Sequence, residues 1–289
     1  GMGRLMTGGV GPNRVKDGAL FGVSPAELRV LIATDPPDHT TLRRLVSRAF
    51  TPRAISALEP RLRARCGGRV DGLLQDLELG PTDLVSSVAM PFPVTVIAEL
   101  LGIPAERRDD FKRWSDALVG TLAGEADLRG ARDAMIELTG FVVEQIERRR
   151  REPSDDLIGR LVEVGEELGA GEIVAFVILL LVAGNETTTN LIGNGAQAFA
   201  DHPAQMERLV RDPSLVASAV EEVFRFDGPV QALFRGTTQD AQVSGVTIPA
   251  GSLVMVCFAA ANRDPEHYAD PHAFDVARNP QDHLGLGHG

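Results

Sequence analysis

Cysteine, tryptophan and tyrosine are almost missing from this 289-residue chain, which holds two cysteines, one tryptophan and one tyrosine. Two cysteines cannot build a disulfide framework, so a reducing compartment is the default expectation. Cys66 sits in an arginine-rich helical stretch, RLRARCGGRVDGLL, and Cys257 in the apolar run SLVMVCFAAA; both settings suit a small half-buried filler. Scarce aromatics leave no stacking platform for single-stranded nucleic acid. Positive charge is also in deficit: 29 Lys and Arg against 40 Asp and Glu give a net charge of −11. That balance argues against non-specific nucleic-acid binding and favours solubility.

No signal peptide opens the chain, and Gly1 ahead of Met2 reads as a cloning remnant. The longest apolar run, IVAFVILLLVA at 173–183, falls short of the ~20 residues a membrane span needs. It predicts a helix covered on all sides. A cytoplasmic protein that does not enter a membrane is expected.

What is present reads as globular, with 44% apolar and 24% charged residues. Residues 1–34 are Gly-rich and irregular, with a short helix predicted at SPAELRVLI. From Asp35 the 3.6-residue spacing of apolar positions predicts nearly continuous helix. DHTTLRRLVSRAF is one segment, with Leu42, Leu45, Val46 and Phe50 in phase. Four more follow at PRAISALEPRLRARC to VDGLLQDL, DLVSSVAMPFPVTVIAELLG, ERRDDFKRWSDALVG and LRGARDAMIELTGFVVEQIERRRR. A long apolar helix then runs from about Gly171 to Phe199, followed by AQMERLVRD and LVASAVEEVFRF. Residues 232–261 change texture to alternating, β-rich sequence with Gly245 and Pro-Ala-Gly as turn signals. No internal repeat is visible. The reading is one mainly α domain over residues 1–289 with a small β region.

Five stretches carry chemistry. In AGNETTTN, residues 183–190, Gly184 removes a side chain from a bulky helix, while Glu186 and Thr187 set a carboxylate beside a hydroxyl in apolar surroundings. In EEVFR, Glu222 and Arg225 are three apart and share a helix face. In DPPDHTTLRR, His39 and Arg43 are four apart, so one helix face offers two groups that bind anions. Arg235 opens the β-rich part in ALFRG, and the chain closes on HLGLGHG. Each alone reads more readily as an ordinary solvated helix face or turn.

Their order and spacing, with NRDP at 262–265 between the last two, closely resemble the bacterial, soluble branch of the cytochrome P450 family from Asp35 to Gly289. The resemblance implies a helical P450-like domain lacking segments at both ends, and a heme held between the long helix and the Gly-rich loop with a cysteine thiolate on the iron. Ala183 and Gly184 would lie against the heme's distal face, with Gly184 admitting the backbone to the dioxygen site. Glu186 and Thr187 would be the acid–alcohol pair that relays protons to dioxygen. His39, Arg43, Arg235 and His283 match positions that bind the heme propionates. Leu286 stands where an aromatic usually packs beside the thiolate. Glu222 and Arg225 match a structural pair; the position of a third, arginine partner holds Ala273, and the nearby Arg278 is its candidate substitute. Substrate contacts are expected from residues 1–34, WSDALVGTLAG, the helix before Ala183 and the turn GPVQALF, with Val230, Ala232, Leu233 and Phe234 lining an apolar pocket.

The resemblance implies a heme-thiolate monooxygenase that takes electrons from a ferredoxin or similar donor and places one oxygen of O₂ into a small hydrophobic substrate. The ligand cysteine itself would fall four positions past Gly289, so no metal ligand is assigned in this chain. Two alternatives stand beside it. One is a heme-free binding module; the other is a heme protein ligated by His283 or His288.

Overall fold

A computed structural model describes residues 30–122, 127–164 and 168–287. They cluster into two compact units, Gly1–Glu186 and Thr187–Gly289.

In the first unit, α1 (Asp38–Ala49) buries Leu42, Leu45, Val46 and Ala49, the stripe its spacing predicts. The single helix expected next is broken. A short α2 (Pro52–Ser56) is capped by the Thr51 hydroxyl, which accepts from the Ala54 N–H, and α3 (Glu59–Leu79) restarts with Pro60 in its first turn. A proline there has no N–H to give a preceding turn, so the chain begins a new helix instead of extending the old one. The following stretch is likewise divided, into a π-turn at Val85–Ala89 and α4 (Pro91–Leu100). Then come α5 (Arg108–Leu122), α6 (Leu128–Arg151) and α7 (Leu157–Glu163). Helix α6 buries Ala131, Ala134, Leu138, Phe141, Val142 and Ile146. Its end is tied to the start of α7 by Arg149, which donates to Asp156 at 2.7 Å and to the Gly102 carbonyl at 3.1 Å. Gly102 has φ +65°, and a Cβ there would lie 2.4 Å from the Asp156 carboxylate, so both backbone and space require glycine.

The apolar helix expected from about Gly171 is α8 (Ala170–Asp201). It is 32 residues long and apolar enough to cross a membrane by length and composition. Ile173, Val174, Val177 and Leu181 nevertheless lie in the first unit's core with Trp114, Phe111 and Leu138, and no residue of 173–183 is exposed.

The second unit takes the rest of α8, then α9 (Pro203–Arg211) and α10 (Val216–Asp227). Strand β1 (Ala232–Gly236) pairs antiparallel with β4 (Leu253–Cys257), Leu233 opposite Val256 and Arg235 opposite Val254. Between them β2 (Ala241–Val243) and β3 (Val246–Ile248) form a separate hairpin. The β-rich stretch ends earlier than expected, because Phe258–Ala261 is a turn of helix, α11, in which Phe258 is buried. A run of alanines favours helix once the strand's β-branched residues stop. A small core of Ala198, Ala219, Val223, Phe274 and Val276 closes this unit.

Candidate functional site

The candidate residues divide between the two units. In the first, α1 carries His39 half-buried and Arg43 exposed, on the side away from its core stripe. Among the described residues neither side chain has a hydrogen-bond or ion-pair partner, so both remain able to receive an anionic group. Helix α8 has two opposed faces. Val174, Val177, Leu181 and Asn185 recur at three- and four-residue spacing and are buried. Leu179, Ala183, Glu186 and Thr187 follow the same spacing half a turn around, and all are half-buried. The carboxylate and the hydroxyl therefore sit on the helix face turned from the first unit's core.

Gly184 has a different neighbour from the one expected. A Cβ added there would meet Ile97 Cδ1 of α4 at 3.2 Å. The space this glycine frees is filled by a buried isoleucine, so the residue serves close helix packing, and Ala183 is the small residue on the open face.

In the second unit Glu222 and Arg225 are fully buried on α10 and joined by two hydrogen bonds, Arg225 Nε to Oε2 at 2.7 Å and Nη2 to Oε1 at 2.8 Å. Arg225 also donates to the carbonyls of Asn262, Pro271 and Ala273. Arg278 supplies the second arginine, with Nε donating to Glu222 Oε1 at 3.2 Å, while residue 273 contributes only its carbonyl. This network organises the segment after α11 and presents no free group for chemistry.

The Gly-rich loop is anchored to α10. His283 Nε2 lies 2.7 Å from Glu221 Oε2, Nδ1 accepts the Gly285 N–H at 3.0 Å, and the ring stacks on Phe224 at 5.4 Å. An accepting Nδ1 places the proton on Nε2, aimed at Glu221. Both nitrogens are thus engaged within the chain, and His283 anchors the Gly-rich loop. Leu284 N–H donates to the buried Asn262 Oδ1 at 2.7 Å. Gly285 packs so tightly that a Cβ would come within 2.6 Å of the Phe224 carbonyl, and Gly287 holds φ +79°. Leu286 projects outward, 75% exposed.

Arg235 on β1 is half-buried, its Nη1 donating to the Phe234 carbonyl at 3.1 Å. Val230, Ala232 and Leu233 are half-buried and Phe234 is exposed. Residues 1–29, part of WSDALVGTLAG and His288 lie outside the described residues. Glu221, Phe224 and Asn262 escaped sequence reading, although Glu221 and Phe224 are three apart in EEVFR and Asn262 heads NRDP.

These features match one set of known proteins throughout. The Cytochrome P450 family profile matches residues 94–282. The chain belongs to the cytochrome P450 family. Vitamin D(3) 25-hydroxylase of Pseudonocardia autotrophica is 48% identical over 265 residues, covering 90% of this chain and 64% of that protein. Cytochrome P450 CYP109Q5 from Chondromyces apiculatus superimposes with a TM-score of 0.83 at 40% identity, covering 99% of this chain and 70% of that structure. CYP109E1 from Bacillus megaterium, solved in complex with testosterone, has a TM-score of 0.81 at 40% identity over 90% of this chain and 71% of its own. This P450 chain thus spans just under two thirds of the length of such curated relatives.

The family's cofactor is heme, and the donors fit its periphery: His39 and Arg43 have no carboxylate partner among the described residues, and Ala183 is small enough to lie against a flat ring. The axial thiolate is another matter. Cys66 is on α3 and Cys257 ends β4, so neither cysteine lies on the Gly-rich loop.

Proposed function

We propose that this chain forms the greater part of a monooxygenase that places one atom of O₂ into a C–H bond of a small apolar substrate. The second oxygen atom leaves as water, consuming two electrons and two protons. The observation that carries this reading is the position of Glu186 and Thr187 on the half-buried face of a helix whose other face is core. A carboxylate and a hydroxyl kept there are suited to passing protons into a site from which bulk water is excluded.

Heme, when bound, supplies the iron at which dioxygen is reduced. The chain's own residues hold and serve it. Arg43 and Arg235, with His39, are the proposed partners of its two carboxylates, since paired guanidinium donors offset the cost of burying such charges. Glu186 collects protons and Thr187 passes them on through its hydroxyl. Ala183 and Leu286 offer apolar contact. Val230, Ala232 and Leu233 are the proposed substrate contacts, apolar and half-buried. A hydrophobic substrate also accords with the relatives, one named for vitamin D(3) and one solved with testosterone. The electrons are proposed to come from a ferredoxin or similar protein, in the cytoplasm.

The test is the absorption spectrum of the reduced, carbon-monoxide-treated full-length gene product after heme loading, together with iron analysis. A thiolate-type Soret band supports the reading. A histidine-type band would instead assign a heme protein ligated by imidazole, and no iron uptake would assign a binding module.

A further inference from the structure

Asn185 is the one polar residue on α8's buried stripe, one helix turn beyond Leu181, and it is 7% exposed. Its Nδ2 donates to Ser115 Oγ of α5 at 3.0 Å, and Ser115 is fully buried. The amide oxygen Oδ1 is buried without a donor. Turning the amide over would not help: the hydroxyl would then donate to Oδ1 and leave the NH₂ without an acceptor. A single hydroxyl satisfies one end of the amide only. A leucine at this position would continue the stripe of Val174, Val177 and Leu181 and remove the orphaned amide oxygen, leaving only the small Ser115 hydroxyl to find another partner, so the asparagine brings little or no net stability where it stands.

A directional bond is what it provides instead. Packed apolar side chains tolerate some rotation and sliding of one helix on another, whereas one buried amide specifies register, as a lone asparagine does in a coiled-coil seam. On the adjoining flank Gly184 brings α8 against Ile97 of α4. Residues 184 and 185 are therefore gripped by two different helices immediately before Glu186.

We propose that Asn185 is a positioning residue: its hydrogen bond to Ser115 fixes the rotation of α8 and thereby the direction in which Glu186 and Thr187 point. This rests on the proton-transfer reading of that pair. Asn185→Leu is the informative variant, because it removes the amide while completing the apolar stripe. It is expected to melt no lower than the unmodified chain, yet to exchange the backbone amides of residues 186–190 several-fold faster. In the heme-loaded protein supplied with electrons and substrate, it is expected to release a several-fold larger share of those electrons as hydrogen peroxide. Ser115→Ala should raise peroxide release likewise and lower the melting temperature, and Ser115→Thr, which keeps the hydroxyl, should restore both.

Glu186→Gln separates the two ideas. If it raises peroxide release while Asn185→Leu changes neither peroxide nor amide exchange, the positioning role is overturned and the acid–alcohol reading stands. If Glu186→Gln itself leaves peroxide release unchanged, the acid–alcohol reading falls and the positioning role falls with it.

Discussion

Glu222→Gln keeps the shape of a fully buried side chain and removes its charge. The carboxylate accepts from Arg225 Nε at 2.7 Å, Arg225 Nη2 at 2.8 Å, the Asp275 N–H at 3.0 Å and Arg278 Nε at 3.2 Å. Glutamine retains one acceptor oxygen and turns an NH₂ toward a guanidinium. Arg225 keeps its three carbonyl acceptors but loses its counter-charge at a position only 1% exposed. Arg278, 16% exposed, can recover part of its loss from water. Breaking a buried pair from one side costs about 3–5 kcal/mol, because a desolvated charge is left uncompensated. If the second unit melts by itself, at about 4–8 °C per kcal/mol for a domain near that size, the loss is roughly 15 °C or more. Urea unfolding followed by far-UV circular dichroism measures it directly. The exposed pair Arg208–Asp275, at 2.9 Å, is the internal control, and Arg208→Ala should cost no more than about 1 kcal/mol. If Glu222→Gln costs as little as the control, the pair is not desolvated in solution and the reasoning fails. Glu222→Leu combined with Arg225→Met should recover part of the loss, since the fully buried charge is then gone and only Arg278, which can reach water, is left without its carboxylate.

Gly285→Ala places a methyl 2.6 Å from the Phe224 carbonyl and should cost about 1–3 kcal/mol while loosening residues 283–287, visible as faster amide exchange there. His283→Ala removes the anchor to Glu221 and the stack on Phe224, and should speed exchange at Gly285 and Leu284 without altering α1; unchanged exchange would show that the loop is held otherwise. Burial, aided by the neighbouring Asp282 charge, pushes the Tyr268 hydroxyl up to about 12. Its unfolded value is about 10, so the unfolded state releases the proton first, and stability should fall as pH rises from about 10 through about 12, an effect absent in Tyr268→Phe. On the acid side, the hydrogen bond from His267 holds Asp282 below the usual carboxylate range, and hydrogen bonds from Arg107 and Arg113 do the same for Asp110. The stability these contribute is complete above about pH 4 and lost as pH falls through the depressed values, so the urea midpoint should drop there and drop less in Asp110→Asn.

Local spacing was enough to place α1, α6 and α8, because a helix's buried stripe is written every three to four residues. It was enough, too, to put Glu222 and Arg225 on one face of α10; that α8, expected to be covered on all sides, has a half-buried face carrying Glu186 and Thr187 is visible only in the structure. Proline chemistry explains the two breaks that periodicity ran across, at Pro60 and Pro91. Partnership was not legible. Asn185 and Ser115 are 70 residues apart, and no local pattern marks either as half of a pair. Nothing in HLGLGHG tells that His283 meets Glu221; only the approach of α10 to the loop shows it. Gly184 invites close approach from any direction, and the packing of α4 decided that Ile97 would take it. Arg278 reaches Glu222 because the chain from 269 to 278 folds back around its guanidinium, which donates to the carbonyls of residues 269, 270 and 273. Residue types and their periodicity thus determine which elements form and what chemistry each can offer. Which group meets which is set by contacts between distant segments, whose energies depend on distances that no stretch of sequence contains.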